Sequence, residues 1–77
     1  MPRYFFHIEN GARTADAEGV ILSDDKEAQT QAEVMAGEML REGSARLWET
    51  GQWRVNVVDQ RGAAVFTLRL LATNAVA

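Results

Sequence analysis

Apolar and polar residues alternate on both sides of a short turn in the C-terminal third of the chain, and this period of two is typical of half-buried β-strands. The turn, residues 59–62, begins with an aspartate that can bond its own backbone and ends with a glycine. The sequence therefore predicts a β-hairpin with one apolar face. That face is expected to contain Trp53, Val55, Val57, Ala64, Phe66, Leu68 and Leu70.

The register of this hairpin is predicted by keeping the apolar residues together. If residues 59–62 form a four-residue loop, Val58 lies opposite Ala63 and Trp53 lies opposite Leu68. A shift by one residue would mix the two faces, and a half-buried sheet strongly resists such a shift. We therefore expect the four-residue loop.

A second strand pattern lies at the start of the chain. Residues 3–9 are rich in aromatic and branched side chains and end at an Asn-Gly pair, which favours a tight hairpin turn. Residues 12–15 are a weak return strand, residues 16–19 a loop and residues 20–22 a short apolar segment. Whether residues 12–22 form one strand or two is left open.

A helix is predicted between the two strand regions. Ser23 is expected to cap it, the acidic residues that follow suit its positive end, and Gly43 ends it after Glu42. Its buried stripe is rich in alanine, so the helix must lie close to the surface that it covers. The stripe contains Ala28, Ala32, Met35, Ala36 and Met39.

The order of elements predicts an α+β domain, in which an antiparallel sheet of three to four strands carries one helix on one face. Residues 44–51 connect the helix to the second hairpin, with Leu47 and Trp48 as apolar anchors. We expect a single domain over residues 1–71 and a frayed tail over residues 72–77.

Composition makes several classes of function improbable. The chain has 77 residues, no cysteine and one histidine, which argues against disulfides, thiolate metal sites and histidine-based metal sites. His7 has no serine, cysteine or second histidine nearby in sequence to complete a nucleophilic pair. We therefore predict no catalytic residue, no metal and no cofactor, and we expect that the protein is not an enzyme.

The distribution of charge and apolar residues bears on partners. The net charge of −3 argues against general nucleic-acid binding, although seven arginines and one lysine leave room for local arginine patches. No apolar run approaches the roughly 20 residues of a membrane helix, and no export signal is recognised. The expected location is the cytoplasm.

The sheet face opposite the helix is the candidate interaction site. It mixes aromatic, apolar and arginine side chains, a combination that protein interfaces favour. The predicted members are Phe5, His7, Arg54, Asn56, Val58, Val65, Thr67 and Arg69. We expect a protein-interaction module that forms a homodimer or binds an unidentified protein through this face. A weak single-stranded RNA binder is an alternative, because RNA-binding sheets also display aromatic residues.

Three segments of the chain carry a resemblance to a known family. The opening MPRYFFHI, the stretch from Glu18 to Asp24, and the pattern WRVxVxDxxG over residues 53–62 resemble a widespread family of short bacterial proteins without an assigned function. The resemblance implies a stand-alone domain and carries over no catalytic residue. A looser similarity to the small partner domains of toxin–antitoxin pairs suggests an antitoxin-like or regulatory role as a further alternative.

Overall fold

The computed structural model describes residues 1–75 and shows one long helix packed on one face of an antiparallel five-stranded sheet. This confirms the predicted α+β class. The sheet has more strands than predicted because residues 12–22 form two separate short strands. The elements are β1 Arg3–Glu9, β2 Arg13–Thr14, β3 Val20–Ile21, α1 Asp25–Glu42, α2 Leu47–Thr50, β4 Gln52–Asp59 and β5 Ala64–Leu71.

The sheet has two different edges. The strand order is β2-β1-β4-β5, and β3 also pairs with β1. One edge is therefore shared by two short strands, with β2 beside the Glu9 end of β1 and β3 beside the Arg3 end. The other edge is the single strand β5, which has eight residues.

The register predicted for the C-terminal hairpin is wrong by two residues over most of its length. Trp53 pairs with Leu70, not with Leu68, and Val58 pairs with Ala64, not with Ala63. The shift is even from Phe66 to Leu70, so these apolar side chains still share the face of Trp53. Ala64 was predicted on that face, but it pairs with Val58 and lies on the opposite one. A β-bulge contributes one residue of the shift. Val57 pairs with Phe66 and Val58 pairs with Ala64, so Val65 of β5 is the extra residue.

The turn contributes the other residue, because Asp59 pairs with Ala63: the Asp59 N–H donates to the Ala63 carbonyl at 2.9 Å, and only residues 60–62 lie between them. The Asp59 carboxylate accepts hydrogen bonds from the main-chain N–H groups of Ala63 at 3.0 Å and Arg61 at 2.9 Å. The bond from Ala63 is the main cause that lowers the pKa of Asp59, with Arg61 contributing further and burial opposing. The loop therefore has three residues, and the predicted four-residue loop is wrong.

The helix occupies the predicted residues but has a different cap. Asp24 is the N-cap, and its carboxylate accepts from the Glu27 N–H at 2.9 Å. Ser23 lies one residue too early for this role, and its hydroxyl donates to the Glu27 side chain instead. At the other end, Gly43 adopts a φ of 80°, the left-handed conformation that ends many helices.

The core lies between the alanine stripe of α1 and the inner face of β1 and β4. Ala28 and Ala32 are fully buried, and so are Trp53 and Val55 on the sheet. Small side chains on the helix allow its backbone to approach the large indole of Trp53. The complete core contains Tyr4, Phe6, Leu22, Ala28, Ala32, Ala36, Ala45, Trp53, Val55 and Val57, with Met35, Met39 and Leu47 packed against it.

The segment between α1 and β4 contains a short helix that the sequence did not predict. Leu47 packs against the core as expected, but Trp48 is 73% exposed, so its predicted role as an anchor is wrong. Adjacent residues of a helix point about 100° apart, because one turn takes about 3.6 residues. Only one of the two can therefore face the core.

The predicted tail over residues 72–77 is described in part. The Ala72 N–H still donates to the Gly51 carbonyl at 3.0 Å, which continues the pairing of β4 and β5 by one bond. Residues 73–75 have no regular secondary structure, and residues 76–77 lie outside the described part of the chain.

A hydrogen bond joins the first strand to the start of the helix. The Tyr4 side chain is 2% exposed, and its hydroxyl donates to Oδ1 of Asp25 at 2.7 Å. This bond to a carboxylate, together with burial and the charge of Asp25, raises the pKa of Tyr4 to about 12. Residues far apart in sequence are thereby linked where α1 begins.

Replacing Ala32 by leucine tests the close approach of the helix. Ala32→Leu should lower the free energy of unfolding by about 1–3 kcal/mol, because a larger side chain overpacks the contact with the sheet. Thr30→Leu, at an exposed position of the same helix, should change it by less than about 0.5 kcal/mol. Urea unfolding followed by circular dichroism measures both, and equal effects would contradict a tight contact at Ala32.

The ionisation of Tyr4 can be followed directly, because it is the only tyrosine in the chain. Phenolate absorbance should show a midpoint near 12 in the folded protein and near 10 in urea. The pKa is raised on folding, so the bond stabilises the fold fully below pH of about 10 and is lost as the pH rises through the folded value. Asp25→Asn should lower the folded midpoint, and an unchanged midpoint would contradict the assigned cause.

Candidate functional site

The sheet face opposite α1, called the open face below, is arranged in rows that run across the strands. Tyr4 and Phe6 of β1 are buried on the helix side, so the odd-numbered residues of that strand lie on the open face. The register places His7 beside Asn56 and Phe5 beside Val58, and the next strand continues the rows. Of the predicted face, the structure places Phe5, His7, Arg54, Asn56, Val58, Thr67 and Arg69 there.

One row contains three arginines and a single carboxylate. Arg13 of β2 lies opposite Glu9 of β1, Glu9 lies opposite Arg54 of β4, and Arg54 lies opposite Arg69 of β5. We call these four residues the arginine row. Sequence reasoning placed Arg54 and Arg69 on the face but missed Arg13 and did not include Glu9. The Asn-Gly turn after β1 was the available signal, since a hairpin there brings Arg13 beside β1.

The charges of the arginine row are not balanced. Glu9 accepts from Nη2 of Arg54 and from Nδ2 of Asn56, the latter at 3.1 Å. Within residues 1–75, Arg13 and Arg69 have no carboxylate partner. Like charges directly opposite each other on neighbouring strands are unfavourable, so the pair Arg54 and Arg69 lowers stability unless an anion lies near. The row therefore has an excess of positive charge.

The next row is polar and joins three strands by hydrogen bonds. Asn56 donates to Glu9 through Nδ2, and its Oδ1 accepts from the Thr67 hydroxyl at 2.9 Å. These bonds fix the orientation of the Glu9 carboxylate, which in turn holds the Arg54 guanidinium. The arrangement of the arginine row is thus supported from β5 through β4 to β1.

The far end of the open face is apolar, and one predicted residue is missing from it. Phe5 lies opposite Val58. Val65 was predicted on this face, but the register skips it at the bulge, and its side chain packs partly against the core. The extra residue interrupts the strict alternation of sides along β5, which the sequence pattern alone assumed.

A loop between β2 and β3 borders the open face beside Phe5 and His7. Asp16 of this loop accepts from the Phe6 N–H through Oδ2 and from the N–H groups of Glu18 and Gly19 through Oδ1, at 3.0–3.2 Å. A carboxylate thus bonds the β1 backbone where neither β2 nor β3 pairs with it. The Phe6 N–H at this edge therefore has a hydrogen-bond partner although no strand pairs with Phe6 there.

Gly19 allows the same loop to lie against β1. Its φ is 72°, and a Cβ there would be 2.8 Å from the Tyr4 carbonyl oxygen and 2.9 Å from Cε2 of Phe5. Any other residue would meet backbone atoms that cannot move aside. The loop and Phe5 are therefore packed together, and Phe5 is less available to a ligand than the sequence suggests.

His7 has a positioning role in this arrangement. Its Nδ1 accepts from the Asp16 N–H at 3.0 Å, so in the neutral ring the proton is carried by Nε2. The ring stacks beside that of Phe5, with centroids 6.5 Å apart. His7 holds the loop in place with one nitrogen, and neither a nucleophile nor an acid–base partner is paired with it in residues 1–75.

The ionisation of Asp16 reflects its hydrogen bonds. Burial raises the pKa of Asp16, but bonds from the N–H groups of Gly19, Phe6 and Glu18, with His7 nearby, outweigh burial and lower it overall. The carboxylate is therefore charged at neutral pH and stabilises the loop in that form. Both oxygens of this carboxylate are thus engaged by main-chain N–H groups.

The two sides of the molecule carry opposite charge. Helix α1 contains five acidic and two basic residues, whereas the arginine row has three basic residues and one acidic residue. The chain as a whole is acidic, so its net charge conceals a basic area on the open face. The seven arginines against one lysine had left room for such a local arginine patch.

Among residues 1–75, no cluster of three or more histidine, aspartate or glutamate side chains is arranged to hold a metal ion. In the same part of the chain, no helix is both long and apolar enough to cross a membrane.

Comparison with known proteins assigns a family. Residues 3–72 match the model of DUF6894, a domain of unknown function, and the chain belongs to this family. The match spans nearly the whole chain and agrees with a family that has no assigned activity. Neither the curated proteins nor the solved structures contain a significant match.

Asp16→Asn should reveal the pH dependence of the loop. The amide has one acceptor oxygen where Asp16 uses two, so the free energy of unfolding should fall by about 1–2 kcal/mol at pH 7. The folded pKa is lowered, so this contribution is present above pH of about 4 and is lost as the pH falls through the folded value.

Urea unfolding at a series of pH values measures the difference in the free energy of unfolding between Asp16→Asn and the natural chain, called the gap below. Glu18→Gln, in the same loop, is the control, because in residues 1–75 the Glu18 side chain makes no hydrogen bond and only its main-chain N–H and carbonyl are used. The gap for Asp16→Asn should close in acid. A gap of equal size at every pH would contradict the role of the charge.

Proposed function

We propose that this member of the DUF6894 family is a non-enzymatic protein-interaction module that binds an acidic segment of another protein. The observation that supports the proposal is the arginine row, in which Arg13, Arg54 and Arg69 lie in line with a single carboxylate that, within the described part of the chain, forms an ion pair only with Arg54. Arginine forms forked bonds with carboxylates, and it is enriched at protein interfaces. A carboxylate ligand would balance a charge excess that the domain leaves uncompensated.

A pocket at the end of this row is large enough to admit a carboxylate side chain. It has a volume of about 300 Å³ and is lined by Glu9, Gly11, Ala12, Arg13, Gln52 and Arg54. Nε of Arg54 is buried and has no hydrogen-bond partner among residues 1–75. Arg13 and Arg54 lie on either side of Glu9, so a ligand carboxylate in the pocket would meet two guanidinium groups.

An apolar residue lies next to the arginine row. Leu71 pairs with Gln52, which is the residue next to Arg54 on the same face of β4. The Leu71 side chain is 64% exposed. A partner that joins a carboxylate to an adjacent apolar side chain would contact both. We therefore propose acidic segments that contain leucine, isoleucine or phenylalanine in preference to purely acidic ones.

Of the two partners predicted for the open face, the charge pattern favours a different protein over a second copy. A symmetric dimer places the same surface on both subunits, so it must be complementary to itself. Two open faces in contact would bring arginine rows together, and Glu9 already binds its own Arg54. Repulsion between like charges opposes that arrangement.

Single-stranded RNA is the competing ligand, because phosphates also bind arginine and bases stack on aromatic rings. The open face offers Phe5 and His7, but the loop at Gly19 packs against Phe5. Phe5 lies at the other end of the face from the arginine row, and His7, one row away, already bonds the loop through Nδ1. Base stacking and phosphate binding are therefore poorly combined, and the experiment below includes RNA as a separate arm.

Charge reversal at Arg13 tests the proposal. Binding of a fluorescein-labelled peptide of alternating glutamate and leucine, measured by anisotropy, should weaken about tenfold or more in Arg13→Glu, since an ion-paired hydrogen bond contributes about 1.5–3 kcal/mol. Arg41→Glu makes the same change in net charge on α1. It should alter the affinity by less than about twofold, because surface charges beyond roughly 10 Å are screened.

The same titration is repeated with labelled oligouridylate. Equal losses in Arg13→Glu and Arg41→Glu would mean that binding follows only net charge, and this would contradict a site at the arginine row. Binding of the RNA but not the peptide would overturn the proposed partner class.

A further inference from the structure

The two edges of the sheet differ in how they are protected. The edge beside β1 is divided between two strands of two residues each, and Asp16 bonds the backbone between them. The other edge is β5, which in residues 1–75 pairs only with β4. Natural proteins protect an edge with lysine, proline, short strands or bulges. Apart from a bulge near its start and Arg69, β5 has none of these.

The main-chain groups on the outer side of β5 can be assigned from one hydrogen bond. The Ala72 N–H faces β4, because it donates to the Gly51 carbonyl. Successive residues of an antiparallel strand direct their main-chain groups to opposite sides. The N–H and C=O groups that point away from β4 are therefore those of Thr67, Arg69 and Leu71.

We propose that β5 binds β5 of a second copy of this chain, so that two sheets join edge to edge in an antiparallel, twofold-symmetric dimer. The pairing is centred on Leu68, the midpoint of the regular part of the strand from Phe66 to Leu70. In this register Leu68 lies opposite Leu68 of the second copy. Thr67 lies opposite Arg69, and the outward main-chain groups of these two residues bond each other.

Charge selects this register over its neighbour. Centring the pair on Arg69 would place two guanidinium groups directly opposite each other, which is unfavourable. Centring it on Leu68 places each Arg69 beside a threonine. A shift by one residue is excluded for a different reason. It would place the outward N–H and C=O groups of one β5 opposite residues of the other β5 whose N–H and C=O groups already bond β4.

The apolar side chains of β5 support the same partner. Phe66 and Leu68 lie on the helix side and remain half-buried, whereas Val57 and Val55, their partners on β4, are fully buried. A second β5 would bring Phe66 beside Leu70 and Leu68 beside Leu68, so the core would continue across the junction. Helix-side residues then match helix-side residues throughout, as a self-complementary interface requires.

Oligomeric mass and site-specific oxidation test this dimer together. Light scattering across micromolar concentrations should approach twice the 8.5 kDa of the chain. The chain has no cysteine, so Leu68→Cys introduces the only thiol. Residues opposite each other in a non-hydrogen-bonded pair lie about 4.5 Å apart at Cα, within disulfide range. Mild oxidation of Leu68→Cys should therefore give a covalent dimer.

Two variants provide the controls. Val34→Cys, at an exposed position on α1, should give far less covalent dimer than Leu68→Cys under the same oxidation. Thr67→Pro removes an outward N–H without breaking a bond to β4, and it should yield a folded monomer, whereas Thr67→Val should remain dimeric. Circular dichroism verifies folding in each case.

The dimer is independent of the proposed acidic ligand, and the tests separate them. Arg13→Glu lies on β2, at the other edge, and should leave the mass doubled while weakening peptide binding. A monomer at all concentrations tested would overturn the β5 dimer. So would a dimer in which Leu68→Cys is cross-linked no faster than Val34→Cys. Neither result would affect the anisotropy test of the arginine row.

Discussion

The contact between the alanine stripe of α1 and the inner face of β4 determines the rest of the structure. Ala28 and Ala32 have too little volume to fill a core, so the sheet must supply it through Trp53 and the valines beside it. The helix can lie on only one face, and the residues between the core positions then occupy the other. The open face and its arginine row are consequences of where a helix with small side chains can pack.

Much of the fold could be predicted because it follows from periodicity. The helix spans the residues expected, and the alternation correctly places the core side chains toward it, namely Tyr4, Phe6, Trp53, Val55 and Val57. The hairpin register was wrong because it depends on Asp59, whose bonds to Ala63 shorten the loop to three residues, and on a bulge. Hydrogen bonds of one side chain are invisible to an argument from hydrophobic pattern.

The candidate site could be predicted less completely than the fold. Arg54 and Arg69 were assigned to the face because they alternate with apolar residues on long strands. Arg13 was missed because β2 has only two residues, too few for a period to be recognised. Trp48 was misassigned because an apolar side chain in a connecting segment was assumed to be buried. Short elements depend on tertiary contacts that a single sequence does not display.

The edge formed by β2, β3 and Asp16 also limits how large an assembly can become. A sheet with two free edges could add copies without end and would build a fibre. Here a carboxylate, rather than a strand, satisfies the backbone of β1, and no further chain can add at that point. If copies join through β5, the assembly therefore stops at two, and Asp16 has a protective value that extends beyond the stability of its own loop.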